Sequence, residues 1–534
     1  MLKRYIHNSL CKDASVSAGL DTQARVSVSR RVFHDIYGHF YEAAACAGGR
    51  VNFIGEHVDY PDAQFEGSNP AHLFSMGGAV RQSYITAVSR RNDQSIHLYH
   101  LDEEEKCELS LDDIPGLSET ACNERRNRVP AAKRTLPSWA NHSLGGIFHA
   151  SRILKKKFTG INILLTSNVP FGAGMSNSAA NCVSLGLALQ EVFPELGIGD
   201  PFRLAEFARN SENHDFAGGN CGWLDQLLIV FSKKNSLTML DYAEKKITHF
   251  ASNFPPDFLC FAVNTNVPHV LGESDYILRV AELSTLHTVL SNVLTQQITS
   301  VSFSLQDVNR LLRDFDPSVP EPVLPVSCSN NVSADNGSCV ISSLNNDTLP
   351  KINELILSDD DIVVIKNYIQ TNYQKPDFEP HNHLTKEQSF ALLIRRMRHQ
   401  KISSILVPAA GHAAMIGNTK KFGELINCEG RSLRMTGDFQ ITGKNGAQDF
   451  LLDSGFIAGV ETGMPVYGRM LGGGGGGNVL FFIPGTNKAA VSEWKERTAA
   501  RYSSWTVKVF GRNIEPTVII PEISNGAHTL IAQG

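Results

Sequence analysis

Apolar residues in the first half of the chain recur with two different periods. Alternation and β-branched side chains predict a strand over 161–165. A turn rich in Pro and Gly follows, and then apolar residues recur at helical spacing over 179–193, behind serines that are candidate N-caps. This exchange of short strands and helices continues from 33 to 242 and is typical of an α/β domain.

A second unit begins beyond residue 254. Its clearest element is an amphipathic helix that is predicted to begin at Tyr276 and end near Val293, with an apolar stripe formed by Leu283, Leu286, Leu290 and Val293. The segment 317–350 interrupts the pattern, because its Ser, Asn, Asp and Pro residues cannot fill a core. We expect most of it to be a disordered insertion, and 61–75 to be an inserted loop.

The length of the chain predicts two domains, since hydrophobic cores stop growing near 250–300 residues and this chain has 534. We expect a leader at 1–32 that is disordered or loosely packed. An N-terminal α/β domain at 33–250 and a C-terminal α+β domain at 251–534 follow. A transit peptide remains an alternative for the leader, which has a basic N-terminus and few acids.

Composition and charge exclude several classes of function. The formal net charge of -5 disfavours a nucleic-acid partner, because binding to phosphates requires an excess of positive charge. No uninterrupted apolar stretch is long enough to span a bilayer, so no membrane partner is expected. The 10 cysteines are scattered without CxxC pairs, which favours free thiols in a reducing compartment and predicts a cytoplasmic protein.

The segment 48–60 concentrates polar chemistry around a glycine. Arg50, Glu56, His57 and Asp59 lie within ten residues of one another. So many polar groups are tolerated in a buried strand only when they are paired or face a polar ligand. Sugars suit such arrays, because each hydroxyl is both a donor and an acceptor. A surface turn with local salt bridges is the alternative.

A second segment, 170–180, lies between the predicted strand and the predicted helix. Its glycines would let the backbone approach phosphate oxygens, and the helix N-terminus after them offers free N–H groups. Ser176 and Ser178 add hydroxyl groups for phosphate or Mg²⁺. No Gly-Lys-Ser/Thr closes the segment, so it is not a Walker loop. A purely structural turn is the alternative.

Two later segments each allow two interpretations. Asp225, in an apolar stretch at 220–226, is either a helix cap or a general base. The six glycines at 472–477 precede the apolar strand candidate 479–483. They indicate either a backbone that lies against a bulky ligand or a flexible linker, and the strand favours the ligand.

Together these segments resemble the galactokinase family, in the superfamily named for galactokinase, homoserine kinase, mevalonate kinase and phosphomevalonate kinase. The stretch 50–60 looks like the galactokinase signature, 170–180 like the phosphate motif of the superfamily, and 220–226 like the segment of the catalytic aspartate. Further matches are Trp139-Ala140-Asn141, 264–276, Ser432-Leu433-Arg434 and the late glycines. The resemblance extends from about 47 to 483 and implies a two-lobed kinase fold with the active site between the lobes.

The resemblance also implies roles for individual residues. Asp225 and Arg50 would be catalytic. The sugar would be held by Glu56, His57, Asp59, Gly222 and Tyr276. ATP would be held by Trp139 together with Pro170, Gly172, Ala173, Gly174, Met175, Ser176, Asn177 and Ser178. Mg²⁺ would be bound by Ser178 and Glu212.

The metal position departs from the family pattern, because counting back from Asp225 places Asn213 where the family has its glutamate. Glu212 is adjacent, and one residue along a helix turns a side chain by about 100°. The helix could adjust so that Glu212 reaches the metal, Asp215 could substitute, or metal binding could be weak.

The sequence therefore predicts ATP-dependent phosphorylation of galactose at its C1 hydroxyl. Two alternatives stay open. One is the same chemistry on N-acetylgalactosamine, arabinose or another sugar. The other is a non-catalytic sensor of galactose and ATP, which the Asn213 departure favours.

Overall fold

The computed structural model describes residues 21–59, 73–127, 129–267, 275–294, 303–318, 357–442, 446–485 and 487–530. Most of the predicted insertion at 317–350 and of the predicted loop at 61–75 lies outside these residues, as do Tyr60 and the first 20 residues of the leader. Phe74 and Ser75, which we placed in the loop, begin a strand instead. None of the described helices is both long and apolar enough to cross a membrane.

Twelve strands are formed by the described residues. They are β1 Ala43–Ile54, β2 Phe74–Arg90, β3 Ser95–His100, β4 Glu105–Ser110, β5 Ile161–Ser167, β6 Leu237–Asp241, β7 Lys246–Phe250, β8 Leu259–Asn264, β9 Tyr467–Met470, β10 Asn478–Ile483, β11 Thr517–Ile519 and β12 His528–Leu530.

The described α-helices are α1 Thr22–Tyr37, α2 Ile114–Arg126, α3 Asn141–Leu154, α4 Asn177–Val192, α5 Pro201–Asn213, α6 Leu224–Phe231, α7 Asp275–Leu294, α8 Leu305–Phe315, α9 Asp359–Thr371, α10 Lys386–Met415, α11 Thr419–Leu433, α12 Ala447–Thr462 and α13 Lys488–Phe510. The predicted strand at 161–165 and the predicted helices at 179–193 and 276–293 are confirmed as β5, α4 and α7.

The described strands form two sheets, in agreement with the predicted mixture of strands and helices. The first has the order β12-β1-β2-β5-β3-β4, with β6 paired to β2 and β7 paired to β6. The second has the order β11-β8-β10-β9. The sheets divide near the predicted boundary at 250/251, except that β12 at the C-terminal end pairs with β1. The domain limits themselves stay a prediction.

The leader prediction is wrong for residues 22–32, which belong to α1. Arg25 is buried there and donates to the Ser83 carbonyl at 2.9 Å and to Asn168 Oδ1 at 3.0 Å. Phe33 lies two turns further along the same face and is fully buried. The helix is missed from sequence because an arginine, rather than an apolar residue, is one of its anchors in the core.

A bulge in β1 directs residues 50–59, called here the polar segment, toward residues 170–180, called here the phosphate segment. The pairing of β1 with β2 shifts register between Gly48 and Arg50. A Cβ atom on Gly49 would lie 2.5 Å from the Met175 carbonyl oxygen, so only glycine fits. Beyond the bulge, the Arg50 N–H donates to that same carbonyl at 3.0 Å. Bulges of this kind commonly re-aim a side chain next to a functional site.

A buried ionic network joins the end of β1 to the second half of the chain. Glu429 of α11 accepts from the backbone N–H groups of Gly55 at 2.7 Å and Glu56 at 3.0 Å. Arg469 of β9 pairs with Glu429 at 3.0 Å and with Glu56 at 2.9 Å. Both Glu429 and Arg469 are fully buried. Each charge therefore depends on the others for compensation.

Glu429→Gln should lower the free energy of unfolding by about 3 kcal/mol, because a buried arginine loses one of its two ionic partners. Denaturant unfolding of this variant measures the effect. Glu496→Gln is the control, since Glu496 is exposed on α13, and it should stay within about 0.5 kcal/mol of the parent. Equal stability of the two variants would show that the network does not hold the halves together.

Candidate active site

Arg50 and Asp225 meet although 175 positions separate them in sequence. Arg50 Nε donates to Asp225 Oδ1 at 2.7 Å, and Arg50 Nη1 donates to the Gly174 carbonyl at 2.5 Å. Burial favours loss of the proton from Arg50, but the charges of Asp225, Glu56 and Asp59 outweigh it and raise the arginine pKa. A permanent cation therefore lies between a carboxylate and the phosphate segment.

Asp225 lies in the first turn of α6, but its carboxylate does not cap that helix. The N-cap position is Trp223, and no side chain caps it. The second carboxylate oxygen of Asp225 instead accepts from the hydroxyl of Ser176. The Asp225 side chain is 22% exposed, so a ligand can reach it. The helix-cap interpretation of Asp225 is wrong.

Asp59 lies directly against the turn that leads into α6. Its Oδ2 accepts from the Leu224 N–H at 2.9 Å. A Cβ atom on Gly222 would overlap that same oxygen, so glycine is required at this position. Burial raises the pKa of Asp59 to about 6; the Leu224 N–H opposes this, and the nearby charge of Asp225 adds to it.

His57 and Tyr276 form an aromatic pair beside this turn. The His57 backbone is left-handed, with φ of 59°. Its buried ring stacks on Phe439 at 5.0 Å between centroids and lies 5.9 Å from the ring of Tyr276. Burial lowers the pKa of His57 well below its usual value, so the imidazole is neutral. The Tyr276 hydroxyl donates to the Asn220 carbonyl at 3.0 Å.

Glu56 is buried, and its carboxylate accepts three hydrogen bonds in addition to its ion pair with Arg50 at 3.7 Å. Asn52 Nδ2 donates to it at 2.5 Å, Arg469 at 2.9 Å and the Gly472 N–H at 2.9 Å. Glu56 therefore joins the polar segment to the late glycines. Arg50, Glu56, His57 and Asp59 are all buried, which overturns the alternative of a surface turn.

The phosphate segment packs against the late glycines. Gly172 and Gly174 have φ of 64° and 69°, and a Cβ atom on Gly174 would lie 2.6 Å from the Leu471 carbonyl oxygen. The Asn478 N–H donates to the Ala173 carbonyl at 3.2 Å. The linker alternative for 472–477 is wrong. A Cβ atom on Gly472 would lie 2.7 Å from Gly174 Cα, and one on Gly474 would overlap the Ile441 carbonyl oxygen, so protein backbone already requires glycine here. The contact of these glycines with a ligand stays a prediction.

Helix α4 begins at Asn177, within the phosphate segment. Ser176 precedes it in a left-handed conformation, with φ of 57°, and does not cap it. The first N–H groups of a helix have no partner within it and favour anions. Asn177 braces the turn by donating to Ser167 Oγ at 3.0 Å and to the Val169 carbonyl at 2.9 Å. Pro170 and Met175 complete the segment, and the Met175 carbonyl accepts from Arg50.

Glu212, rather than Asn213, contacts Ser178, the other predicted metal ligand, while the three alternatives for the metal position stay predictions. Ser178 Oγ donates to Glu212 Oε1 at 2.5 Å, and Gln226 Nε2 donates to Oε2 at 2.8 Å. Burial raises the pKa of Glu212 to about 7, and the charge of Asp225 adds to the effect. The described part of the chain has no group of three or more His, Cys, Asp and Glu residues that could hold a metal. A hydroxyl and a carboxylate fit Mg²⁺, which commonly takes few protein ligands beside substrate phosphates.

Trp139 lies in a short 3-10 turn, Ser138–Ala140, just before α3. Its indole N–H donates to Glu105 at 2.7 Å, and its ring lies edge-on to His100 at 5.5 Å. These contacts face β3 and β4 and do not involve the phosphate segment. The role of Trp139 in binding ATP stays a prediction.

Several residues of the site were not found from sequence. Besides Glu429 and Arg469, His399 of α10 lies 3.0 Å from the Glu56 carbonyl oxygen through Nε2, and 3.0 Å from Ser432 Oγ through Nδ1. Sequence gives no clear signal for Glu429 or Arg469, because α11 carries other charged residues and β9 has only four residues. Their burial, which requires a charged partner, appears only in the fold.

A cavity of about 730 Å³ lies on the outer side of α5. It is lined by residues of α2 and α3 and by Asn210, Asn213, His214 and Asp215. Neither Arg50 nor Asp225 faces it, so it is separate from the site described above.

Two family models match the chain. The GHMP kinases N terminal domain matches residues 146–233, which include the phosphate segment, Glu212 and Asp225. The Galactokinase galactose-binding signature matches residues 31–64, which include Arg50, Glu56, His57 and Asp59.

A solved galactokinase structure shares the fold. Galactokinase from Lactococcus lactis, solved with galactose, is 20% identical with a TM-score of 0.62, and the match covers 95% of this chain and 100% of that one. Mevalonate kinase from Methanococcus jannaschii is 12% identical with a TM-score of 0.45, and the match covers 90% and 98%.

The two matched regions contain both residues of the buried Arg50–Asp225 pair and the glycine segment before α4. ATP use follows from the family. The chain carries the N-terminal domain of the GHMP kinases and the galactokinase galactose-binding signature, and it is a galactokinase-like phosphotransferase.

Proposed function

We propose that this protein transfers the terminal phosphoryl group of ATP to the C1 hydroxyl of galactose and releases galactose 1-phosphate and ADP. One observation carries the proposal: a partly exposed carboxylate, Asp225, is fixed by the buried Arg50 beside the phosphate segment. Arg50 lies in β1, which is part of the region that matches the galactose-binding signature, 31–64. A sugar acceptor and a phosphate donor would thus meet at one carboxylate.

Asp225 would accept the proton of the C1 hydroxyl and orient its oxygen toward the γ-phosphorus. A sugar hydroxyl is a weak nucleophile, so a positioned base assists the attack. Arg50 holds this carboxylate through Nε, its Nη1 donates to the Gly174 carbonyl of the phosphate segment, and its Nη2 lies 3.7 Å from Glu56 Oε1. There its charge would stabilise negative charge that spreads over the phosphoryl oxygens. The C1 oxygen gains the phosphoryl group while the bond from phosphorus to the leaving ADP oxygen breaks.

The sugar would lie among His57, Asp59, Gly222 and Tyr276, with Glu56 beneath. Asp59 supplies carboxylate oxygens for hydroxyl groups, and the tyrosine ring supplies an apolar face. Gly222 leaves room for Asp59 and would let a hydroxyl approach the backbone. Glu56 already accepts three hydrogen bonds and pairs with Arg50, so we propose that it acts chiefly by holding these residues in place.

The phosphates would bind at the N-terminus of α4 and along 170–178. Ser178 and Glu212 would hold Mg²⁺, which when bound neutralises charge on the β- and γ-phosphates. The residues around them orient this pair, because Gln226 fixes the second oxygen of Glu212. Trp139 remains our proposal for a contact to the adenine base.

Other acceptors and a sensor remain alternatives. The Ser178–Glu212 contact supports an enzyme over a sensor, since it supplies the metal donors that the Asn213 departure had called into question. The galactose in the Lactococcus lactis structure supports galactose as the acceptor. N-acetylgalactosamine and arabinose differ from galactose at C2 and at C6, so they test how closely the pocket fits those positions.

The direct experiment measures ADP release with Mg²⁺, ATP and each sugar in turn. We expect galactose to give the highest kcat/KM. Higher kcat/KM with another sugar would assign a different acceptor. Tight galactose binding in calorimetry without ADP release would identify a sensor.

Asp225→Ala should lower kcat by at least about 100-fold, because the general base is lost. Nucleotide binding, measured by calorimetry, should persist because the phosphate segment remains intact. The matched control is Asp215→Ala, an exposed aspartate on the turn before α6, which should keep parental turnover. Turnover of Asp225→Ala within a few-fold of the parent would remove Asp225 from this role.

Glu212→Gln should raise the Mg²⁺ concentration for half-maximal activity by about tenfold or more, since a ligand charge is lost. Magnesium titrations of ADP release measure it. Glu206→Gln lies on the exposed face of the same helix and should leave the Mg²⁺ requirement unchanged. An unchanged requirement in Glu212→Gln would place the metal elsewhere.

A further inference from the structure

Asn213 is the last residue of α5 and the immediate neighbour of Glu212. The two side chains leave the helix in different directions, as a step of about 100° requires. Glu212 faces Ser178 and Gln226, whereas Asn213 faces the turn at 220–221. The position where the family resemblance expects a metal ligand therefore makes a different set of contacts.

The Asn213 amide makes three hydrogen bonds to that turn. Its Oδ1 accepts from the N–H groups of Asn220 at 2.9 Å and Cys221 at 2.7 Å. Its Nδ2 donates to the Cys221 carbonyl at 3.0 Å. One side chain thus satisfies three backbone groups that lie seven and eight positions further along the chain.

The turn that Asn213 holds is strained. Asn220 has φ of 94°, a conformation that residues with a Cβ atom rarely adopt and that persists only when the surroundings impose it. Its N–H is bonded by Asn213 and its carbonyl by the hydroxyl of Tyr276. The Gly219 N–H also donates to the Glu212 carbonyl at 3.0 Å.

The catalytic carboxylate follows within five residues. Gly222 lies against Asp59, the Leu224 N–H donates to Asp59, and Asp225 pairs with Arg50. Because these residues are covalently continuous with Cys221, a shift of the turn moves each of them.

We infer that Asn213 is a positioning residue for phosphoryl transfer. Its amide holds the strained turn 220–221, and through that turn it sets where Gly222 and Asp225 stand relative to Arg50. The inference rests on the proposed function, because it concerns the same carboxylate, and it assigns to Asn213 a role other than metal binding.

The kinetic test compares Asn213→Ala with Asn213→Asp. The alanine variant loses all three hydrogen bonds and should lower kcat by about tenfold or more, since small misplacements of reacting groups are costly. Its Mg²⁺ requirement should remain parental, in contrast to Glu212→Gln. The aspartate variant keeps the oxygen acceptors for both N–H groups and should recover most of kcat. Asn210→Ala, on the exposed side of the same helix, is the control and should match the parent.

A second readout does not depend on turnover. Hydrogen exchange, followed by mass spectrometry in peptides that contain 220–221, should accelerate in Asn213→Ala because two amides lose their acceptor. Exchange there should stay slow in Asn213→Asp and in Asn210→Ala. If the parent releases no ADP with any sugar, the proposed function fails, while this measurement still tests whether Asn213 holds the turn.

Three results would overturn the inference. The first is parental exchange at 220–221 in Asn213→Ala, which would show that the amide does not hold the turn. The second is parental kcat in that variant, which would separate the turn from catalysis. The third is an Mg²⁺ requirement raised as much as in Glu212→Gln, which would indicate that Asn213 binds the metal.

Discussion

The buried ion pair between Arg50 and Asp225 is the constraint on which the rest of the site depends. A guanidinium held inside a protein needs a compensating charge, and removing one partner leaves the other uncompensated. Here the pair fixes strand β1 to the first turn of α6. The bulge at Gly48–Gly49 delivers Arg50 to this position, and the turn at 220–222 delivers the aspartate. The phosphate segment then completes the arrangement through the Gly174 carbonyl and the Ser176 hydroxyl.

The second half of the chain closes the site from the other side. Glu429 binds the backbone at Gly55 and Glu56, and Arg469 pairs with both acidic side chains. Late glycines lie against the phosphate segment with no room for a Cβ atom at several positions. The wall that would hold a sugar and the loop that would hold phosphates are therefore braced by the same strand, β9, and the loop after it. Glu56 lies at this junction, so its bonds serve the assembly of the site before any contact with a ligand.

Much of the fold could be predicted from local sequence patterns. Elements β5, α4 and α7 were predicted because the spacing of their apolar residues and the neighbouring turn residues lie within their own segments. The polar segment at 50–59 and the glycine segment before α4 could also be recognised as candidate binding sites from sequence, since each concentrates unusual residues in a few positions. What sequence could not supply were partners far away along the chain. In sequence, Glu429 and Arg469 look like ordinary surface charges, and only the fold shows that they are buried beside Glu56. Arg25 likewise looks like part of a basic leader until Ser83 and Asn168 are placed around it. The departure at Asn213 was visible, but only the geometry at the end of α5 shows that Glu212 meets Ser178 while Asn213 turns to the next loop.

A crystal structure with galactose and a non-hydrolysable ATP analogue tests the central claim most directly. The account predicts the anomeric oxygen within about 3 Å of an Asp225 carboxylate oxygen, on a line toward the γ-phosphorus. A sugar bound with its C1 oxygen turned away from Asp225, or with Arg50 and Asp225 drawn apart to opposite sides of the ligand, would contradict it.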